Sequence, residues 1–455
     1  MPDATFTTPD LTTFTGLDDL GLIVTGQRLE PGRAVLDCRV LEPDDWCHRC
    51  GCQGRPIGTV IRHLAHAPFG WRPTILHVRV RRYRCTGCGL TWRQDTTAAA
   101  EPRAKLSRGG LRWALTAIVC QHLTIARIAE ALAVSWNCAN DAVLAEGRRV
   151  LIADPHRFDE VSAIGVDEHV WRHTRFGDKY VTVIIDLTPI RCGTGPARLL
   201  DMVEGRSEQA FSTWLQARPK DWRDAVEVVA MVPRKREVPP GFTGFKNAAT
   251  THLPDAVTVM DPFHVVRLAG QAWGHLPLAG DDDVRRRRQQ ELHGHRGRKD
   301  DPLYRARRVL HTGSDLLTDR QRTRLRALFG HGAGGDDHVE VEATWAVYQR
   351  MIAAYRHPDR AAGRTAMGEL IDSLRGRIPT ALREVRRLGR TLNQRAADVL
   401  AYFDRPGTSN GPTEAINGRL EHLRGSALGF RNLTNYIARS LLEAGGFRPR
   451  LHPRS

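Results

Sequence analysis

The spacing of apolar positions along the chain changes several times, and each change marks a boundary. Alternation in Ile75-Leu76-His77-Val78-Arg79-Val80 predicts a ribbon strand. From Leu111 the period lengthens to that of a helix, with Leu111, Leu115, Ile118 and Val119 in phase, then Ile125, Ile128 and Leu132. Ala133-Val134-Ser135-Trp136 interrupts the pattern, and Ser135 is placed to cap a second helix through Ala139, Val143 and Leu144 toward Arg149. A helix, a turn and a helix are expected there. Past Pro155 the pattern turns to strands at Val161–Asp167, Tyr180–Asp186 and Ala197–Val203; a helix over Ser207–Leu215 and a strand over Val226–Val232 follow. Ala256–Met260 is a fifth strand, ending in Asp261-Pro-Phe-His264.

Three consecutive strands followed by alternating helix and strand describe an α/β, ribonuclease-H-like layer fold. From about Val265 to Tyr402 the chain reads as helical, with a capping box at Thr318 to Gln321. Val341, Thr344, Trp345, Tyr348, Ile352 and Tyr355 make an apolar helix face in that stretch. The expected divisions are 1–95, a metal module; 96–155, the helix-turn-helix; 156–264, the first part of the core; 265–405, a helical insertion; and 406–455, the end of the core.

Charge narrows the class of partner. The 455 residues carry a formal net charge of +16. Clustered Lys and Arg gain affinity by displacing counterions from phosphates, so nucleic acid is the expected partner. The densest basic runs, Arg285 to Arg288 and His293 to Lys299, are either solvated faces or contacts to a DNA backbone. Met1 to Leu20 holds no apolar leader segment, and no uninterrupted run of about 18 apolar residues occurs; a cytoplasmic protein without a membrane span is expected.

Chemistry enters first through cysteine. Cys47-His-Arg-Cys50 and Cys85-Thr-Gly-Cys88 are two Cys-x-x-Cys pairs, the spacing with which thiolate knuckles close a tetrahedral structural zinc site. The competing reading is disulfides or unrelated buried thiols. Cys38, His48 and Cys52 lie close by, and Cys52 sits too near Cys50 to complete a knuckle. In the helix-turn-helix, a recognition helix would present Trp136, Asn137 and Asn140 to base edges; a plain helical hairpin is the alternative. Strands that end in acids need an account, because Asp is a poor strand former and is costly to bury unpaired. Carboxylates on two divalent ions about 4 Å apart would relieve that cost, with Asp167 the best placed first acid; taken alone, such an acid is most often a turn residue.

The C-terminal segment Thr408-Ser-Asn-Gly-Pro-Thr-Glu414-Ala-Ile-Asn417, followed by Gly429-Phe-Arg-Asn432, resembles the end of the ISL-three family of bacterial insertion-sequence transposases. The cysteine pairs, the helix-turn-helix, Gly165-Val-Asp-Glu168 and the Asp-x-x-His after the fifth strand match that family too, so the resemblance spans nearly the whole chain. It implies a DDE transposase that cuts DNA at its element's terminal repeats and joins it to a target, as a homo-oligomer on DNA, using Mg²⁺ or Mn²⁺. Asp167 then matches the first acid and Glu414 the third, with Asn417 and Arg424 following as phosphate donors. The family pattern places the second acid after the fourth strand, directly before Gly241-Phe-Thr-Gly-Phe. Here Val232-Pro-Arg-Lys-Arg-Glu-Val-Pro-Pro intervenes. Asp261 is the expected substitute, with Glu237 a remoter one; the alternative is a decayed copy that binds DNA without cutting it.

Overall fold

The computed structural model describes residues 10–174, 179–231, 241–273, 284–295, 297–330 and 338–451. Two compact units are formed, one from Met1–Arg157 with Arg419–Ser455, the other from Phe158–Gly418.

The first unit is built on a five-stranded sheet of β1 (Leu22–Glu30), β2 (Arg33–Val40), β3 (Gly54–Phe69), β4 (Arg72–Cys85) and β5 (Thr91–Arg93), in the order β1-β2-β4-β3 with β5 on β4. The alternation seen in 75–80 lies inside β4, where Leu76, Val78 and Val80 point into a core with Leu22, Leu36 and Leu64. Three helices follow: Arg108–Gln121, Ile125–Ala131 and Trp136–Gly147. Each starts where a hydroxyl side chain accepts an orphan backbone N–H, from Ser107, Thr124 and Ser135 respectively. The turn between the last two passes through Ala133 at φ 50°. Leu115, Ile118, Ile128, Leu132, Val143 and Leu144 form one core with Ala438, Leu442 and Phe447 from the C-terminal end. Gly147 is required there, since a Cβ would lie 2.8 Å from Leu442 Cδ2.

The second unit holds the sheet β10-β9-β6-β7-β8, made of β6 (Ala163–Val170), β7 (Tyr180–Asp186), β8 (Arg198–Glu204), β9 (Val228–Met231) and β10 (Val257–Met260). The three consecutive strands pair antiparallel, and β9 and β10 add in parallel on the other side of β6. Parallel pairing needs crossovers, and helices Glu208–Gln216 and Gly241–His252 lie in them. Phe211, Trp214, Leu215, Phe245 and Ala249 cover one face of the sheet. The remaining helices surround a separate core of Leu310, Met351, Leu370, Leu392 and Val399. The Thr318 capping box forms as expected.

Two expectations change. β6 runs three residues beyond Asp167, so this acid lies within the ladder, opposite Val183, rather than at the strand's end. In the basic run, Arg285 is buried on Gln289, and Arg287 is a hub: it bonds Glu384 at 2.9 Å, Glu291 at 3.0 Å and Glu340 at 3.2 Å. Glu384 foremost holds its guanidinium in the charged form. That residue cross-links helices and is not offered to a phosphate.

His66 ties the helical segment to the sheet. The Ser107 hydroxyl accepts the Gly110 amide at 3.0 Å and is hydrogen-bonded to His66 Nδ1 at 2.7 Å. Burial pushes the imidazole down from 6.5 to about 4. The unfolded chain therefore takes up a proton that the folded one refuses, and stability present above pH 6.5 drains away as pH falls toward 4. Chemical denaturation at stepped pH should register a loss on the order of 3 kcal/mol across that window. The His66→Gln protein should show a flatter profile there.

Candidate functional site

Two groups of residues carry chemistry, one in each unit. In the first, Cys47 and Cys50 sit before β3, Cys85 ends β4 and Cys88 lies in the turn after it. Among the described residues these four form the one group of three or more His, Cys, Asp or Glu whose ligand atoms all lie within 4.8 Å of one another. Cys47 and Cys88 sulfurs are 3.6 Å apart, and Cys50 and Cys85 sulfurs 3.3 Å. Tetrahedral Zn–S bonds of about 2.3 Å ask for sulfurs roughly 3.8 Å apart, so the set fits zinc with little movement. Amides of Cys88 and Gly87, each 3.3 Å from Cys85 Sγ, donate to it, and the Cys88 amide foremost holds that thiol down to about 6. Trp92 packs so closely on Gly54 that a Cβ there would meet its ring at 2.5 Å, fixing β5 beside the knuckles. Cys52 is exposed outside the four; His48 faces Asp44 instead, at 3.2 Å. Four sulfurs leave no open coordination position, so a metal here is architectural.

In the second unit, Asp167 on β6 and Glu414 on the Gly411–Ser426 helix come together. Asn417 stands one turn after Glu414 and donates from Nδ2 to Asp167 Oδ2 at 2.9 Å. Arg267, half-buried, is attracted by both carboxylates, although burial pulls its pKa down. Among the described residues, Asn417 Oδ1 has no hydrogen-bond partner. Two carboxylates and an unsatisfied amide oxygen are the donor chemistry of a hard divalent cation, so the residues fit one such ion.

Asp261 is placed differently. It is 1% exposed, and its carboxylate is saturated by protein. Oδ1 accepts from the Asn410 amide at 2.7 Å and the Ser409 hydroxyl at 3.1 Å; Oδ2 accepts from the His264 amide at 3.2 Å and faces His264 Nδ1 at 3.1 Å. Burial pushes its pKa up, but the His264 contact and these donors outweigh it and hold the carboxyl below the usual range. The other nitrogen of His264, Nε2, is 3.5 Å from Glu414 Oε1. The chain of contacts is therefore Asp261 to His264 to Glu414. A buried acid engaged in this way orients its neighbours, and among the described residues neither Asp167 nor Glu414 belongs to a group of three His, Cys, Asp or Glu whose ligand atoms lie within 4.8 Å of one another. Asp186 pairs with Arg198, Asp201 accepts from Trp214, and Asp398 pairs with Lys246. Residues 232–240, where the family pattern has its second acid and where Glu237 falls, lie outside the described residues.

The remaining sequence candidates separate by burial. Trp136 and Asn137 are exposed at the start of their helix; Asn140 is buried, its amide turned to Asp141. Arg424 is mostly covered and pairs with Glu421. His264 and Arg267 also belong to this site. Their spacing three and six residues after Asp261, on one helix face, was the available signal.

Gly165 explains why the two acids meet. A Cβ there would lie 2.6 Å from Thr413 Oγ1 and 2.9 Å from Asn410 Oδ1, so only glycine lets the helix start rest on β6. Gly165→Ala should lower any activity that depends on Glu414 by at least about tenfold, at a stability cost of about 1–3 kcal/mol from overpacking; unaltered kinetics would show that the close approach is dispensable. In the first unit, metal analysis of purified protein should find one zinc per chain, and Cys50→Ser should lose it together with the cooperative melting of the strands around the knuckles.

Among the described residues, no helix is long and apolar enough to cross a membrane. No curated protein matches the chain. A transposase family model, of the ISL-three DDE type, matches residues 164–440, more than half of the chain and the stretch that carries Asp167, Asp261 and Glu414. The chain therefore belongs to the ISL-three family of transposases.

Proposed function

We propose that this protein acts on DNA as a transposase, binding the terminal repeats of its element and cutting there, with Asp167 and Glu414 as the carboxylates on which strand cleavage rests. The observation that carries this is the meeting of Asp167 and Glu414 around Asn417 and Arg267, two acids 247 residues apart in the chain. A strand order of 5-4-1-2-3, with only the second strand reversed, supports the ribonuclease-H-like reading of the core. Asp167, Glu414 and Asn417 would hold Mg²⁺ or Mn²⁺, which when bound polarises a phosphate and activates the attacking oxygen. Asp261 serves this site as a positioning residue. Its charge keeps His264 turned toward Glu414, and its acceptance from Ser409 and Asn410 holds the start of the helix that bears Glu414.

The exposed Trp136 and Asn137 are the proposed base-reading positions of a helix-turn-helix, and the zinc module stiffens the sheet beside it. The division into metal module, helix-turn-helix, core and helical insertion, homo-oligomerisation on DNA and a cytoplasmic location belong to the same proposal.

A second reading is that the protein binds DNA without cutting it. It is favoured by the saturation of Asp261, which leaves Asp167 and Glu414 where the paired-ion arrangement uses three carboxylates. A nicking assay separates the two. Protein with its zinc retained is mixed with Mg²⁺ and labelled duplex carrying the element's terminal repeats, beside Asp167→Asn and Glu414→Gln. Cleavage at the repeat boundary that falls at least about 100-fold in both variants, with binding intact, is expected. Binding by the wild type without any cleavage would establish the second reading.

A further inference from the structure

Around the zinc knuckles the strand ladders set arginine opposite arginine. Arg55 on β3 is the direct partner of Arg84 on β4, and Arg82 on β4 is the direct partner of Arg93 on β5. Directly opposed residues project from the same side of a sheet, and Arg82 and Arg84 are two apart on one strand, so all four stand on one face. Each is exposed, whereas Tyr83 and Cys85, alternating with them, are buried. None of the four has a carboxylate within ion-pair distance among the described residues. Like charges placed directly opposite weaken a ladder. Two such pairs side by side, with no compensating acid, are hard to explain by folding alone. The contrast with Arg287 is direct: that side chain is spent on three glutamates, and these four have no acid partner among the described residues.

We propose that this four-arginine lattice is a binding site for the phosphate backbone of duplex DNA. Guanidinium groups pair bidentately with phosphate oxygens. The lattice presents them roughly 5 Å apart across strands and about 7 Å apart along one. A duplex supplies a negative charge about every 1.7 Å of its axis, so such an array finds phosphates at any sequence. The metal site positions the lattice, because Arg84 immediately precedes Cys85 and Trp92 clamps Gly54 next to Arg55. The proposal rests on the DNA-binding function argued above and adds the surface that anchors the backbone; positions such as Trp136 and Asn137 are left to read bases.

The test is a salt titration of binding. Full-length protein with zinc retained is compared with the quadruple variant Arg55→Gln, Arg82→Gln, Arg84→Gln, Arg93→Gln, using fluorescence anisotropy on a random-sequence duplex. The slope of log affinity against log salt should fall by about 3 to 4, and affinity near 0.1 M salt by at least about tenfold. The free variant should melt no lower than the wild type, because its opposed charges are gone. The four-lysine counterpart should keep most of the slope, which separates loss of charge from loss of fold. Wild-type binding with an unchanged slope in the glutamine variant would overturn the lattice while leaving the transposase reading standing. Failure of the wild type to bind any duplex would overturn both. Binding that drops as predicted in a protein that never nicks would support the lattice and sink cleavage alone. A variant that loses single-stranded RNA but keeps duplex would overturn the assignment to DNA.

Discussion

The second unit depends on one buried charge. Asp261 has been taken out of water, which is tolerable only because four donors engage its two oxygens. Two of those donors, the Ser409 hydroxyl and the Asn410 amide, belong to the segment that starts the Gly411–Ser426 helix. The carboxylate thus holds that segment where Gly165 leaves room for it on β6. The positions of Glu414 and Asn417 follow, since both are set by where the helix begins. The same carboxylate turns His264 toward Glu414.

The chain's excess of arginine is put to two opposed uses, and burial decides which. In the helical part of the second unit, Arg287 is 14% exposed and its guanidinium fork is matched by glutamates from three directions, a cross-link in which leaving any partner out would strand a charge. On the sheet of the first unit, the arginines beside the knuckles are exposed and set against one another. The first arrangement is closed and contributes rigidity. The second is open and contributes an unbalanced field. Net charge alone does not distinguish them.

Features that depend on neighbours a few residues apart were legible in the amino-acid order. The Cys-x-x-Cys pairs, the caps at Ser135 and Thr318, the alternation within β4 and the helical period from Leu111 are local patterns, and each element formed where its pattern lay. Strand ends were less legible: β6 continues beyond Asp167 because β7 pairs with it as far as Val170, a partner 10 residues further along the chain. The functional meaning of single polar residues was hidden for the same reason. Asp261 and Asp167 both follow apolar runs, and Asn137 and Asn140 lie on the same helix. The folded chain settles that Asp261 is buried and saturated while Asp167 accepts from Asn417 on the helix of Glu414, that Asn140 turns inward while Asn137 stays out, and that Arg287 is consumed while Arg84 has no acid partner among the described residues. Burial and hydrogen bonding are settled by groups brought in from distant parts of the chain, and residue type fixes what a side chain is able to do but not which partners arrive to use it.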